Sequence, residues 1–240
     1  MTRSVAINVG ANTTAPGFRG PIYPDGSFEF VPIPETEPVR EPVPTYGDLP
    51  LSIGIPDEIR ETPVHFDPEF AEFGPGERYT YGDPHGVKAR PLLDLEAGDL
   101  VYFYATLDFH GEEAPNGICP DWGAYLIGRF RLARDPIDGE SFETLPADIR
   151  TLFRNNAHVK RDPFDARVLL HGDPEGSGLI ETAIPLSAES GVEPNRLVTD
   201  LSSDSGEGPW WRRPLRFDEE GTEMLEADGP DRRRASTDPS

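Results

Sequence analysis

Lysine is almost missing from this 240-residue chain. Only Lys88 and Lys160 stand beside twenty arginines and forty-four acidic residues, and the formal net charge is −22. Such a surface repels itself at low ionic strength and is tolerated where salt is molar and the Debye length falls to about 3 Å, so the composition predicts a halophilic, archaeal-type protein. The competing explanation of so acidic a chain is a protein that repels or imitates nucleic acid. Net charge does not identify a partner here. In concentrated salt counterion release contributes little, and contacts to bases must carry more of any affinity.

Cysteine is scarcer still. Cys119 alone excludes an intrachain disulfide framework, and with no base in the residues around it the thiol reads as a small buried hydrophobe. No apolar run approaches the length of a membrane-spanning helix, so no membrane partner is expected. The start, MTRSVAINVG, has neither the continuous apolar stretch nor the cleavage site of a secretory signal, and a cytoplasmic protein is expected. HExxH, GxSxG, Walker-type loops and paired Cys/His zinc spacings are missing, so motifs predict no metal and no cofactor. The glycine-rich Gly172–Gly178 segment lacks the lysine of a phosphate loop and reads as a turn.

What is present begins at the N-terminus. Val5, Ile7 and Val9 alternate with Ala6 and Asn8 as a half-buried strand does. The stretch from Gly10 to Gly20 then sets Asn12, Thr13, Thr14 and Arg19 on a glycine-rich backbone with no further period. A polar loop at a strand end is a common place for a binding site. Read blandly, it is a surface loop leading into a hairpin around Pro24-Asp25-Gly26, with Ser27–Pro34 as the return strand. Eleven prolines lie between Pro16 and Pro63, which no helix survives, so the segment near 36–63 is expected to cross the surface in extended form.

Further on, Val101, Phe103, Ala105 and Leu107 alternate with Tyr102, Tyr104 and Thr106. Ala124, Leu126, Phe130 and Leu132 oppose Tyr125, Ile127, Arg129 and Arg131. Both stretches read as strands, paired with each other. A helix is expected with Thr144 as N-cap, Pro146 in its first turn, and Ile149, Leu152 and Phe153 along one side, ending at Asn155 and Asn156. Arg167–His171 and Leu179–Leu186 read as strands joined by the Gly172–Gly178 turn. Residues 218–240 mix acids, an arginine run and small polar residues, as a solvated, disordered tail does.

GDLVYFYATL (Gly98–Leu107), followed by WGAYLIGRFRL (Trp122–Leu132), resembles the core of PUA-like domains of the EVE, YTH and ASCH kind. There a Gly-Asp turn enters a barrel strand and a partner strand returns with an apolar-Gly-x-apolar pattern. Together with INVGANTTAPGFRGPIYPDGSFEFVPIPE (Ile7–Glu35) and GDPHG (Gly82–Gly86), the chain resembles the third nucleotide-modification-associated domain family over residues 3–187. The resemblance implies an α+β domain over residues 1–217, built as a mixed, partly open PUA-like β-barrel with few short helices and long proline-rich connections. It also implies a role in nucleic-acid base modification, with a nucleic acid or nucleotide as partner.

A PUA-like domain that reads an extruded base needs an aromatic wall and donors for the base edge. Tyr104 and Trp122 are candidate walls, Asn8, Asn12, Asn155 and Asn156 candidate edge partners, and Arg19 with Lys160 and Arg161 candidate phosphate contacts. Aromatic residues on strands, however, more often pack in cores. The alternative is an enzyme acting on a nucleotide or modified base through Asp83, His85 and His158, and a third reading is a non-catalytic structural or interaction protein. The first two are separated by whether Asp83 and His85 share one concave pocket with Asn8 and Asn12. From charge alone, lowering salt from molar to about 0.1 M, where the Debye length reaches about 10 Å, should lower the thermal midpoint. A midpoint that stays flat or rises on dilution, in a calorimetric series, contradicts the halophilic reading.

Overall fold

The structure, a computed structural model, describes residues 2–189 and 191–227. Strands β1 (Ser4–Asn8) and β2 (Gly20–Ile22) open the chain, and β3 (Thr80–Asp83) leads into helix α1 (Gly86–Leu93). The long strands β4 (Leu100–Phe109) and β5 (Trp122–Arg131) come next, then β6 (Ile137–Asp138), the short helices α2 (Ala147–Leu152) and α3 (Ala157–Lys160), and strands β7 (Val168–His171) and β8 (Gly178–Pro185). Helix α4 (Arg196–Thr199), strand β9 (Leu215–Phe217) and helix α5 (Glu219–Ala227) complete the described chain. A mixed sheet runs β8-β5-β4-β1-β9, with β2 also paired to β4, and a smaller sheet runs β3-β7-β6. The fold is α+β as expected, and its sheets do not close into a barrel among the described residues. No described helix is long and apolar enough to cross a membrane.

The order of the main sheet explains the opening loop. Antiparallel β5 occupies one edge of β4 along nearly its whole length, so β1 and β2 must share the other. Both pair with it in parallel, β1 with Leu100–Tyr104 and β2 with Leu107–Phe109. The chain therefore leaves the sheet after Asn8 and rejoins the same edge at Gly20, and the residues between are forced outward as an excursion. Its base is tied down by Val9 donating to the Tyr104 carbonyl (2.8 Å) and Ala11 to the Val31 carbonyl (2.7 Å). The expected hairpin is shorter than its sequence suggests. Tyr23 and Ser27 close the turn (2.9 Å), but the return pairs only as an Ile22–Phe28 bridge.

Both faces of the main sheet are covered, which corrects the half-buried alternation expected of β1 and β4. Val5, Ile7, Val101 and Phe103 pack toward the small sheet, while Ala6, Leu100, Tyr102 and Tyr104 pack under Trp210, Leu197 and Leu225. Tyr104 is fully buried with its hydroxyl donated to the Arg213 carbonyl (2.7 Å), so it is core rather than a wall open to a ligand. In β5 the expected alternation fails for a different reason. Phe103 pairs with Gly128 and Tyr104 with Leu126, leaving Ile127 as an inserted bulge residue. Beyond the bulge the faces exchange, and Phe130 joins Tyr125 and Ile127 against Phe103, ring centroids 4.6 Å apart.

Other boundaries shift for local reasons. β7 and β8 do flank the Gly172–Gly178 turn, but they belong to different sheets, so that turn passes between layers and does not close a hairpin. Thr144 ends a 3-10 segment, Pro146 is the N-cap residue of α2, and Asn156 caps the next helix by accepting from the His158 N–H (3.1 Å). Part of the presumed tail is folded: α5 buries Gly221, Thr222 and Leu225 against Leu201 and β9, where Ser4 bonds Thr222 (2.7 Å). Residues 228–240 lie outside the described residues. With both faces buried, Phe103→Ala and Tyr104→Ala should each cost about 3–5 kcal/mol in urea unfolding. A loss under about 1 kcal/mol for Tyr104→Ala contradicts the two-sided packing.

Candidate functional site

Where β1 ends and the excursion begins, a cavity of about 220 Å³ opens between that loop, the end of β3, the His65–Asp67 stretch and α3. Its floor is built from imidazoles and carboxylates. His65 Nδ1 lies 2.6 Å from Glu35 Oε2, and His158 Nδ1 lies 2.7 Å from Asp165 Oδ1. Arg161 joins the two pairs. Its Nε and Nη2 donate to Glu35 (2.8–3.1 Å) and its Nη1 to Asp165 Oδ2 (2.7 Å). The rings meet edge to face, centroids 4.7 Å apart at 82°.

These contacts fix the protons. Burial alone would raise the Glu35 carboxyl, but the bonds from His65 and Arg161 outweigh it and hold it at about 2. Burial is likewise outweighed at Asp165 by His158 and Arg161, which hold that carboxyl below its ordinary range. Burial pushes the His65 imidazole down toward its neutral form. An ionised carboxylate accepts, so each Nδ1 donates to its carboxylate, and Nε2 is each ring's remaining nitrogen; that of His158 faces Asp67.

Asp67 completes the floor. The Gly82 N–H donates to both of its oxygens (3.0 and 3.2 Å), Asn156 Nδ2 donates to Oδ1 (2.7 Å), and His158 Nε2 stands 3.8 Å from Oδ2. Burial, with Asp83 and Glu69 nearby, pushes the Asp67 carboxyl well above the usual range. One ligating atom from each of His65, Asp67 and His158 lies within 4.8 Å of the other two. On the wall, Asp83 accepts from the Tyr81 hydroxyl (2.7 Å) and from the His85 N–H (2.7 Å). Lys88 Nζ lies 3.7 Å from Asp83 Oδ2 and donates to the Asn8 carbonyl (3.1 Å), tying α1 to the end of β1.

Of the residues singled out from sequence, Asn8, Asn12, Asp83, His85 and His158 line this one cavity. Asn12 spends its side-chain oxygen on its own turn, accepting from Thr14 and Ala15 (2.8 and 3.3 Å). Asn156 sits fully buried beneath the floor, committed to Asp67 and to capping α3. Asn155 bonds Glu69 (2.8 Å) and Lys160 (2.6 Å) beside a separate groove. Arg19 and Trp122 form another cluster, the guanidinium 4.1 Å over the indole and paired with Asp108 (2.8 Å). His65, Asp67, Glu35 and Asp165 escaped the sequence reading. The available signal was His65-Phe66-Asp67, because in extended chain residues two apart point to one side.

Gly82 is the tightest joint in the site. A Cβ there would meet His158 Cδ2 at 2.8 Å and the Asn156 side-chain oxygen at 3.1 Å. Gly82→Ala should therefore displace the His158 ring while the distant main-sheet core stays formed. His158 side-chain resonances in nuclear magnetic resonance should shift far more than those of Phe217; unchanged His158 signals contradict this packing.

No curated protein and no solved structure matches the chain. The family described as nucleotide modification associated domain 3 matches residues 3–227, which takes in the cavity and every residue of its floor. The chain belongs to the nucleotide modification associated domain 3 family.

Proposed function

We propose that this chain acts chemically on a nucleotide or on a nucleic-acid base, and that its reaction centre is the cavity between the excursion loop, β3 and α3. One observation carries the reading. Two imidazoles, each bonded through Nδ1 to an ionised carboxylate, stand beside a buried Asp67, each offering a ring nitrogen within 4.8 Å of its carboxylate, in a pocket whose wall holds Asp83 and Lys88. An imidazole is a general acid or base in such a setting, and a carboxylate behind each ring orients it and stabilises the charge that forms on it during proton transfer. The role fits a nucleotide-modification family.

Size and surroundings narrow the substrate. A volume of about 220 Å³ is below the roughly 300–1,000 Å³ of pockets that enclose drug-sized ligands, so one planar ring enters and the rest of a nucleotide stays outside. A neighbouring groove of about 780 Å³ carries Arg40, Arg150, Arg154 and Lys160 beside Glu41, Glu77 and Glu143, and begins one residue from Arg161. In so acidic a chain four cations in one groove suit phosphates, although Arg40, Arg150 and Arg154 are paired with Asp162, Glu143 and Glu77. A base-reading function without chemistry has Asn8 and Asn12 in its favour, both at the cavity. It lacks the stacking wall expected of a reader, because Tyr104 is core and Trp122 lies in the other cluster.

Incubation at molar salt with single-stranded and duplex oligonucleotides and free nucleotides, and then nucleoside mass spectrometry, tests the reading. A mass change is expected on one of them, reduced about 100-fold or more in Asp83→Asn and His158→Gln. Oligonucleotide binding that Asn12→Ala weakens by about 1–3 kcal/mol, with no mass change in any substrate, would make the chain a reader instead.

A further inference from the structure

We propose that His65, Asp67 and His158 together hold one divalent first-row transition-metal ion at the floor of this cavity. The three side chains are buried and offer one ligating atom each within 4.8 Å of one another. A metal some 2.0–2.2 Å from each atom needs them about 3–4 Å apart, so small side-chain adjustments close the set. Two imidazole nitrogens and one carboxylate oxygen are donors that suit iron, manganese, cobalt or zinc. Three protein ligands leave further positions open toward the cavity, as sites that bind a reactant do and closed structural sites do not.

The surroundings are those of a metal site. A ligating imidazole ordinarily gives its other N–H to a carboxylate, which fixes the ring and raises its basicity. Glu35 does this for His65 and Asp165 for His158, and Arg161 holds both carboxylates in place. Asp67 has its own support from Gly82 and Asn156, leaving Oδ2 toward His158. Catalytic use of the ion rests on the cavity being the reaction centre; its binding does not.

The test uses the folded chain at molar salt, stripped with a chelator and titrated with Co²⁺ and Zn²⁺ alone, without nucleotide. Expected are one ion per chain by calorimetry and a visible Co²⁺ band. Asp67→Asn and His158→Ala should each weaken uptake about 100-fold or more, and Glu35→Gln and Asp165→Asn about 10–100-fold with all three ligands intact. His171→Ala, on β7 and outside the floor, should bind as the parent does. Circular dichroism confirms that each variant is folded, and the two carboxylate variants carry the test if a ligand variant unfolds. No saturable uptake by the parent overturns the proposal, as does uptake that Asp67→Asn or both carboxylate variants leave unchanged. A nucleoside mass change that survives stripping, with no metal uptake, sinks this proposal alone. Stoichiometric uptake without any mass change sinks only the enzymatic reading.

Discussion

Arg161 reaches two carboxylates at once, Glu35 with Nε and Nη2 and Asp165 with Nη1, and each of those carboxylates orients one buried histidine. The parts come from distant points of the chain: Glu35 from the start of the proline-rich segment, His65 and Asp67 from its end, His158 from α3, and Arg161 and Asp165 from the stretch between α3 and β7. Removing the guanidinium would leave the buried Glu35 carboxylate without its cation, which costs about 3–5 kcal/mol in general. The proline-rich segment from 36 to 63, expected to cross the surface in extended form, instead closes as a loop whose ends meet and which holds 3-10 turns at Tyr46–Asp48 and Asp57–Ile59. Glu35 donates its N–H to the Pro63 carbonyl, and Arg161 bridges to Val39.

The rest of the fold gives that cluster a rigid frame. β4 is packed on both faces, so the edge it offers to β1 and β2 is fixed, and with it the point at which the excursion loop leaves the sheet. Gly82 puts the backbone of β3 against the His158 ring with no room for a side chain, making the small sheet the back wall of the cavity. Preorganisation of this kind means that a ring entering the cavity meets donors and acceptors already in place, with little ordering left to occur on binding.

The class of the fold and the longer strands β1, β4, β5, β7 and β8 could be read from sequence because alternation marks them, whereas β2, β3, β6 and β9 are too short to carry a period. Facing could not be read, since Ile127 inserts a bulge that no periodicity announces, and the covering of Tyr104 comes from Trp210 and α5, over a hundred residues away. Within the site, Asn8, Asn12, Asp83, His85 and His158 could be named because polar residues at strand ends and in glycine turns stand out. Glu35, His65, Asp67 and Asp165 could not, since each looks ordinary in its own neighbourhood and gains its role only when the chain closes around Arg161. The residues gathered around Arg161 are scattered from 35 to 165, with no compact motif to mark them.

The five histidines of the chain allow one direct test that a single nucleotide-binding and reaction cavity exists. Side-chain ¹⁵N nuclear magnetic resonance, recorded while nucleotides and short oligonucleotides are titrated in at molar salt, reports every ring at once. With one such cavity, His65, His85 and His158 shift together with one ligand, His65 shows the tautomer protonated at Nδ1, and His110 and His171 stay still. Shifts confined to His110, which lies beside the Phe18–Arg19 groove, would place the ligand elsewhere and contradict it.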